Sequence, residues 1–190
     1  VSLSTVARIL FVFLKSILYD TSVLKLFFIG RQKMTAKTKA AFILGTWFGS
    51  GKAPVASGTF GSLAALPFGW ALMHYTGLTG LLVAAVIIYF IGVWAAKTVM
   101  DELKVEDPGL IVIDEVVGQW LALATAPMTF AGCMAAFFFF RLFDITKPYP
   151  ACWADSKLHS ATGVMLDDVF AGIYAAIAVF LTFKYIPLPF

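Results

Sequence analysis

Residues 78–96 read LTGLLVAAVIIYFIGVWAA. The stretch has no charged residue and no proline. At 1.5 Å per residue a helix of this length reaches about 28 Å, close to the hydrocarbon thickness of a bilayer. The uncharged run around it is longer still, from Ala53 to Ala96, interrupted only by His74. That is too long for one crossing and suits two, with the turn placed in HYTGLTG, residues 74–80. Composition agrees. Of 190 residues, 61% are hydrophobic and 13% charged, against about 25% charged in a typical soluble domain. A soluble chain of this size would lack the polar residues to cover its surface, so the sequence reads as an integral membrane protein.

Further out, residues 1–35 mix apolar residues with Arg8, Lys15 and Lys25, a pattern that suits amphipathic helices lying in the interface. Residues 36–190 are then the main domain, with 31–39 a basic connector. Residues 49–62, GSGKAPVASGTFGS, read as a structured loop, and 97–110 as a polar surface turn. Residues 111–126 and 130–145 form a second helical hairpin bent around Pro127. A polar loop covers 146–163, and a last helix runs from about Val164 to Tyr185. Pro187 and Pro189 end any helix beyond it. The expected fold is all-α: a compact, membrane-embedded, multi-helix bundle built from hairpins. Cys133 and Cys152 form no metal or disulfide framework and read as buried thiols. Arg31, Lys33, Lys37, Lys39 and Lys52 cluster without any nucleic-acid motif; beside apolar spans they favour the cytoplasmic face and anionic lipid.

The residues that carry chemistry lie at the span ends. In IVIDEVVGQW, residues 111–120, Asp114 and Glu115 stand side by side, and no charge follows until Arg141. VMLDDVFAG repeats the arrangement with Asp167 and Asp168. Between them, FRLFDITKPYP, residues 140–150, offers Arg141, Asp144 and Lys147 at intervals of three; Arg141 and Asp144 share a helix face, and Lys147 stands just before Pro148 ends the helix. Each hairpin returns the chain to the side it left, so all these motifs, and the loop at 49–62, fall on one side. Carboxylates packed together repel, and a divalent cation removes the conflict. Mg²⁺ suits such oxygen ligands together with substrate phosphate. Adjacent helical residues point about 100° apart, so one acid of each pair is expected to face the ion directly. Arg141 supplies a planar fork for phosphate oxygens and Lys147 a point charge.

The glycine-rich loop fails the nucleotide tests: Ala53 follows Gly51-Lys52, and Thr46 occupies the first glycine position of a P-loop. Its Ser50, Lys52, Thr59 and Ser62 remain as anion-binding groups before an apolar helix. His159 is a candidate proton donor to a leaving alkoxide.

The four blocks GSGKAPVASGTFGSLAALP, IVIDEVVGQW, FRLFDITKPYP and GVMLDDVFAGIYAA, in this order over residues 49–175, resemble the phosphatidylglycerophosphatase A family. The resemblance implies a Mg²⁺-dependent lipid phosphatase that converts phosphatidylglycerophosphate to phosphatidylglycerol. It would be a multi-pass protein of the bacterial inner membrane, with its site on the cytoplasmic face. By the same resemblance Asp114, Glu115, Asp144, Asp167 and Asp168 form the metal and catalytic group, and Arg141 and Lys147 the phosphate group. Ser57 stands where the family usually has proline before Gly58-Thr59. Two other readings are weaker. A CDP-alcohol phosphatidyltransferase would hold its acids in one compact motif, and a divalent-cation transporter would place them at mid-span.

Overall fold

The computed structural model describes residues 34–158 and 160–185. Residues 1–33 of the interfacial segment expected over 1–35, His159 and the terminal IPLPF lie outside these residues. The described residues form six α-helices: α1 (Ala36–Gly45), α2 (Ser57–Leu103), α3 (Ile113–Leu123), α4 (Phe130–Thr146), α5 (Ala151–Lys157) and α6 (Ala161–Tyr185), with a 3-10 turn at Ser50–Lys52. Among the described residues there is no β-strand.

The long apolar run folds as read, into two arms. α2 breaks at Gly77, whose φ of 69° and ψ of −170° are not helical. The left-handed φ suits a residue without a side chain, inside the expected HYTGLTG turn. The arms then run in opposite directions along α3. On the first arm Gly61 meets Val112, and Gly69 meets Trp120 and Leu123. On the second, Gly92 meets Ile113, while Leu82 and Leu121 share one groove. α4 returns antiparallel to α3, with Phe140 against Gly118. α6 runs parallel to α3: Gly172 packs on Gly118, and Thr125 Oγ1 donates to the Ala176 carbonyl at 2.7 Å. The second hairpin is therefore also present, and the ends near Ser57, Leu103, Ile113, Thr146 and Ala161 gather on one side.

α3 sits at the centre. Its buried residues, among them Val116, Val117, Trp120 and Leu123, face both α2 arms, α4 and α6. Trp120 Nε1 donates to the Ala65 carbonyl at 3.0 Å, tying α3 to the first arm. At 11 residues, α3 is about 16 Å long, too short to cross a bilayer. Two helices, α2 and α6, are long and apolar enough to do so, and they expose Val83, Val86, Ile87 and Phe90, and Ile173, Ile177 and Phe180, respectively.

Several boundaries differ from the sequence reading. Lys37 and Lys39 belong to α1, not to a connector, because Thr35 caps that helix by accepting from the Thr38 N–H at 3.2 Å. Ser57–Ser62 form the first turns of α2, so the loop ends at Ala56. Residues 97–103 continue α2. Residues 151–157, expected in a polar loop, form α5, because Ala151 and Ala154 bury against the bundle. Cys133 is half-buried and Cys152 exposed, so the expectation of two buried thiols fails.

Candidate functional site

Four helix ends converge on a cavity of about 160 Å³, lined by Ser57, Asp107, Asp114, Glu115, Asp144, Lys147, Asp167 and Asp168, among others. The first turn of α3 supplies Asp114 and Glu115. The second turn of α6 supplies Asp167 and Asp168. The last turn of α4 supplies Asp144, and Lys147 follows as its left-handed C-cap, with a φ of 42°. Ser57 and Gly58 open α2.

One carboxylate oxygen each from Asp114, Glu115 and Asp168 lies within 4.8 Å of the others. The two acidic pairs behave differently. Asp167 and Asp168 divide as expected of adjacent helical residues: Asp168 joins the cluster, and Asp167 Oδ2 accepts from Lys147 Nζ at 2.5 Å. Asp114 and Glu115 do not divide; both reach the cluster. Both stand in the first turn of the helix. Asp114 Oδ1 accepts from the Glu115 N–H at 3.1 Å, and Asp167 Oδ1 from the Asp168 N–H at 3.0 Å.

Arg141 borders the cluster. Its Nη1 lies 2.6 Å from Asp144 Oδ2, with the two side chains only 16% and 14% exposed, so this is not a solvated surface pair. The same nitrogen donates to Ser62 Oγ at 3.3 Å. Ser62 in turn donates to the Gly58 carbonyl at 2.8 Å. A Cβ on Gly58 would stand 3.1 and 3.2 Å from the two terminal nitrogens of Arg141 and closer still to Glu115 Oε1. Glycine therefore lets α2 approach the place where carboxylate and guanidinium meet.

The electrostatics are those of acids held away from water. Burial pushes Asp114 well up, and the neighbouring Glu115 charge adds to it. Burial raises Glu115 to about 8, with Asp168 and Asp144 adding and Arg141 opposing. These carboxyls are poised to take up either protons or a cation. Glu115 Oε2 is buried without a hydrogen-bond partner, which fits a site that offers a lone pair to an ion. Three hard oxygen donors beside a phosphate-sized cavity suit Mg²⁺ by ligand chemistry.

The remaining expected site residues fall elsewhere. Ser50 Oγ donates to the Thr46 and Trp47 carbonyls at 3.2 and 3.1 Å, bracing the loop. Lys52 lines a separate cavity of about 410 Å³ with Lys39, Phe42 and Phe48. Thr59 is half-buried in the first turn of α2. Asp107 and Ser57 also line the acid cavity; the sequence marked Ser57 only as a departure from the family pattern and did not single out Asp107. Asp107 sits only seven residues before Asp114, a proximity that was available as a signal.

Comparison with known proteins identifies the family of the chain. A family model described as Phosphatidylglycerophosphatase A matches residues 43–183. A phosphatidylglycerophosphatase A of Haemophilus influenzae is 40% identical over 73% of this chain and 85% of its own. One of Escherichia coli is 36% identical over 77% and 88%. A putative phosphatidylinositol-3-phosphatase of Bacteroides thetaiotaomicron is 39% identical over 72% and 89%. No solved structure matches. The matched span holds every acid of the cluster together with Arg141 and Lys147, and the chain belongs to the phosphatidylglycerophosphatase A family.

Proposed function

We propose that this chain is a Mg²⁺-dependent lipid phosphatase that converts phosphatidylglycerophosphate to phosphatidylglycerol, working at the cytoplasmic face of a bacterial inner membrane. The carrying observation is the convergence of Asp114, Glu115 and Asp168 within 4.8 Å, beside Lys147 and at the ends of apolar helices. Family membership supports the reaction class. A groove of about 580 Å³ lined by Leu82, Phe90, Leu121 and Leu166, among others, supports a lipid substrate. Lys97 and Lys104 at the site end of α2 support a cytoplasmic orientation. Residues 36–190 are taken as one domain, a reading supported by the mutual packing of the described helices.

Asp114, Glu115 and Asp168 would hold the metal, with Asp144 and Asp167 around them. When bound, the ion polarises the phosphoryl oxygens and acidifies water beside it. Arg141, oriented by Asp144 and Ser62, presents its fork to the phosphate oxygens. Lys147 leans on Asp167 and adds a second positive charge where charge develops in the transition state. Ser62 braces Arg141 from the first turns of α2, and His159 is assigned the return of a proton to the leaving alkoxide. Burial keeps competing water out and strengthens each of these interactions.

The test is phosphate release from phosphatidylglycerophosphate in mixed micelles with and without Mg²⁺. Wild type is expected to require the ion, and Asp114→Asn and Asp168→Asn to lose at least about 100-fold in kcat, as for loss of a charge-stabilising group. An inactive wild type with Mg²⁺, or full activity in both variants, sinks the proposal. Phosphatidylinositol 3-phosphate as a parallel substrate separates headgroup specificity from monoesterase chemistry.

A further inference from the structure

Gln119 is 0% exposed, and neither its Oε1 nor its Nε2 has a hydrogen-bond partner. A buried amide in this state is costly, and Met or Leu would fill the same volume without that cost. Packing alone therefore does not account for it.

Two further buried atoms are unpartnered in the same neighbourhood: Glu115 Oε2 and Arg141 Nε. Glu115 and Gln119 are four residues apart on α3, so their side chains share a face one turn apart. Glu115 Oε1 and the Arg141 guanidinium both crowd the Cα of Gly58. Gly118, beside Gln119, touches Phe140, beside Arg141. The amide thus stands on the step of α3 that faces the turn of α4 carrying the guanidinium. The three sets of idle atoms are complementary: a carboxylate oxygen needs a donor, a guanidinium N–H needs an acceptor, and an amide supplies one of each.

We propose that Gln119 is a positioning residue that bridges Glu115 and Arg141. Its Nε2 donates to Glu115 Oε2 and its Oε1 accepts from Arg141 Nε, each directly or through one buried water. The bridge holds a metal-side carboxylate in register with the phosphate-side guanidinium. The proposal rests on the metal-and-phosphate reading of the site given above. The groups behind metal ligands orient them, and their removal typically weakens metal binding by roughly 10- to 100-fold.

The experiment follows Tm of the full chain in detergent micelles across a Mg²⁺ titration, alongside phosphate release. Gln119→Met should still fold, with a Tm without Mg²⁺ at or modestly below wild type, because Met fills the volume while Glu115 Oε2 and Arg141 Nε lose the bridge. Its Mg²⁺ midpoint should rise by roughly 10-fold or more, and kcat should fall. Gln119→Asn, which keeps both amide atoms and leaves room for a water, should recover much of the wild-type midpoint. A folded Gln119→Met with an unchanged midpoint, or a Gln119→Asn no better than Met, overturns the proposal. A wild type whose Tm ignores Mg²⁺ overturns the underlying reading and this proposal with it. A responsive wild type whose midpoint Gln119→Met shares overturns this proposal alone.

Discussion

Replacing Gly118 by alanine should damage catalysis far more than stability. Gly118 faces the ring of Phe140 and lies against the backbone of α6, where a Cβ would stand 2.7 Å from the Asp168 carbonyl oxygen. Ordinary contact begins at 3.4 Å, so α3 and α6 must separate by about 0.7 Å. The neighbour is backbone, and no rotamer relieves it. Gly172 tightens the constraint, since its own Cβ would meet the Gly118 carbonyl at 2.6 Å. Two effects on stability oppose one another: overpacking costs about 1–3 kcal/mol, and alanine in a helix regains about 1 kcal/mol over glycine. The net loss should be at most about 2 kcal/mol. The separation acts directly on Asp168, whose carboxylate must meet Asp114 and Glu115 across the widened seam. Misplacement approaching 1 Å can cost about 100-fold in rate. The assay is kcat at saturating phosphatidylglycerophosphate and Mg²⁺, with Tm measured on the same sample. A kcat within about threefold of wild type would refute the claim that the Gly118–Gly172 contact sets the spacing of the acids, threefold being far short of the hundredfold expected.

The metal-free protein should lose stability as pH rises from about 4.5 to about 8. Glu115 has its folded pKa raised above its ordinary 4.5 to about 8, so in that window the folded state binds more protons than the unfolded one and stability falls. Mg²⁺ should therefore raise Tm more at pH 8 than at pH 5, and equal shifts at both pH values would contradict the burial argument. Lys147→Gln removes the ion pair to Asp167 and should raise KM for the lipid and lower kcat, by roughly 10-fold or more in kcat/KM, with Arg141 still in place. Unchanged kinetics would remove Lys147 from the phosphate group. Trp120→Phe deletes the bond from Nε1 to the Ala65 carbonyl and strands a buried acceptor, a loss of roughly 1–3 kcal/mol, read as a lower Tm. Surviving activity should keep its Mg²⁺ midpoint, since the ring lies on the α2 side of α3.

The helices were legible where one local rule decided them. An uncharged run from Ala53 to Ala96 admits few arrangements other than two apolar arms, and the glycines of HYTGLTG marked the reversal that Gly77 makes. The common side of the motifs followed from counting reversals, a topological argument that needs no side-chain detail. What escaped the sequence depends on tertiary approach. α5 forms inside a polar stretch because Ala151 and Ala154 find a surface to bury against. Gly58 appears as one glycine among several until α2 is seen pressed against Glu115 and Arg141. The rule of 100° between neighbours described Asp167 and Asp168, which sit within a continuing helix. It misdescribed Asp114 and Glu115, which open one.

The shortness of α3 connects the fold to the chemistry. A span-length helix could bring Asp114 and Glu115 to the headgroup level only by leaving their backbone exposed to water, where the acids would ionise without a metal. α3 instead is enclosed by both arms of α2, by α4 and by α6, and its first turn is buried while remaining near the polar end of the bundle. Its amphipathic demands are met by protein on every side, so it needs no lipid contact and no crossing length. The acids it carries are therefore dry enough to favour a cation over bulk water, yet stand beside a cavity that the loop ends of α2, α4 and α6 leave open. The small residues Gly118 and Gly172 make the enclosure tight, and the cluster of Asp114, Glu115 and Asp168 exists because α3 and α6 touch there.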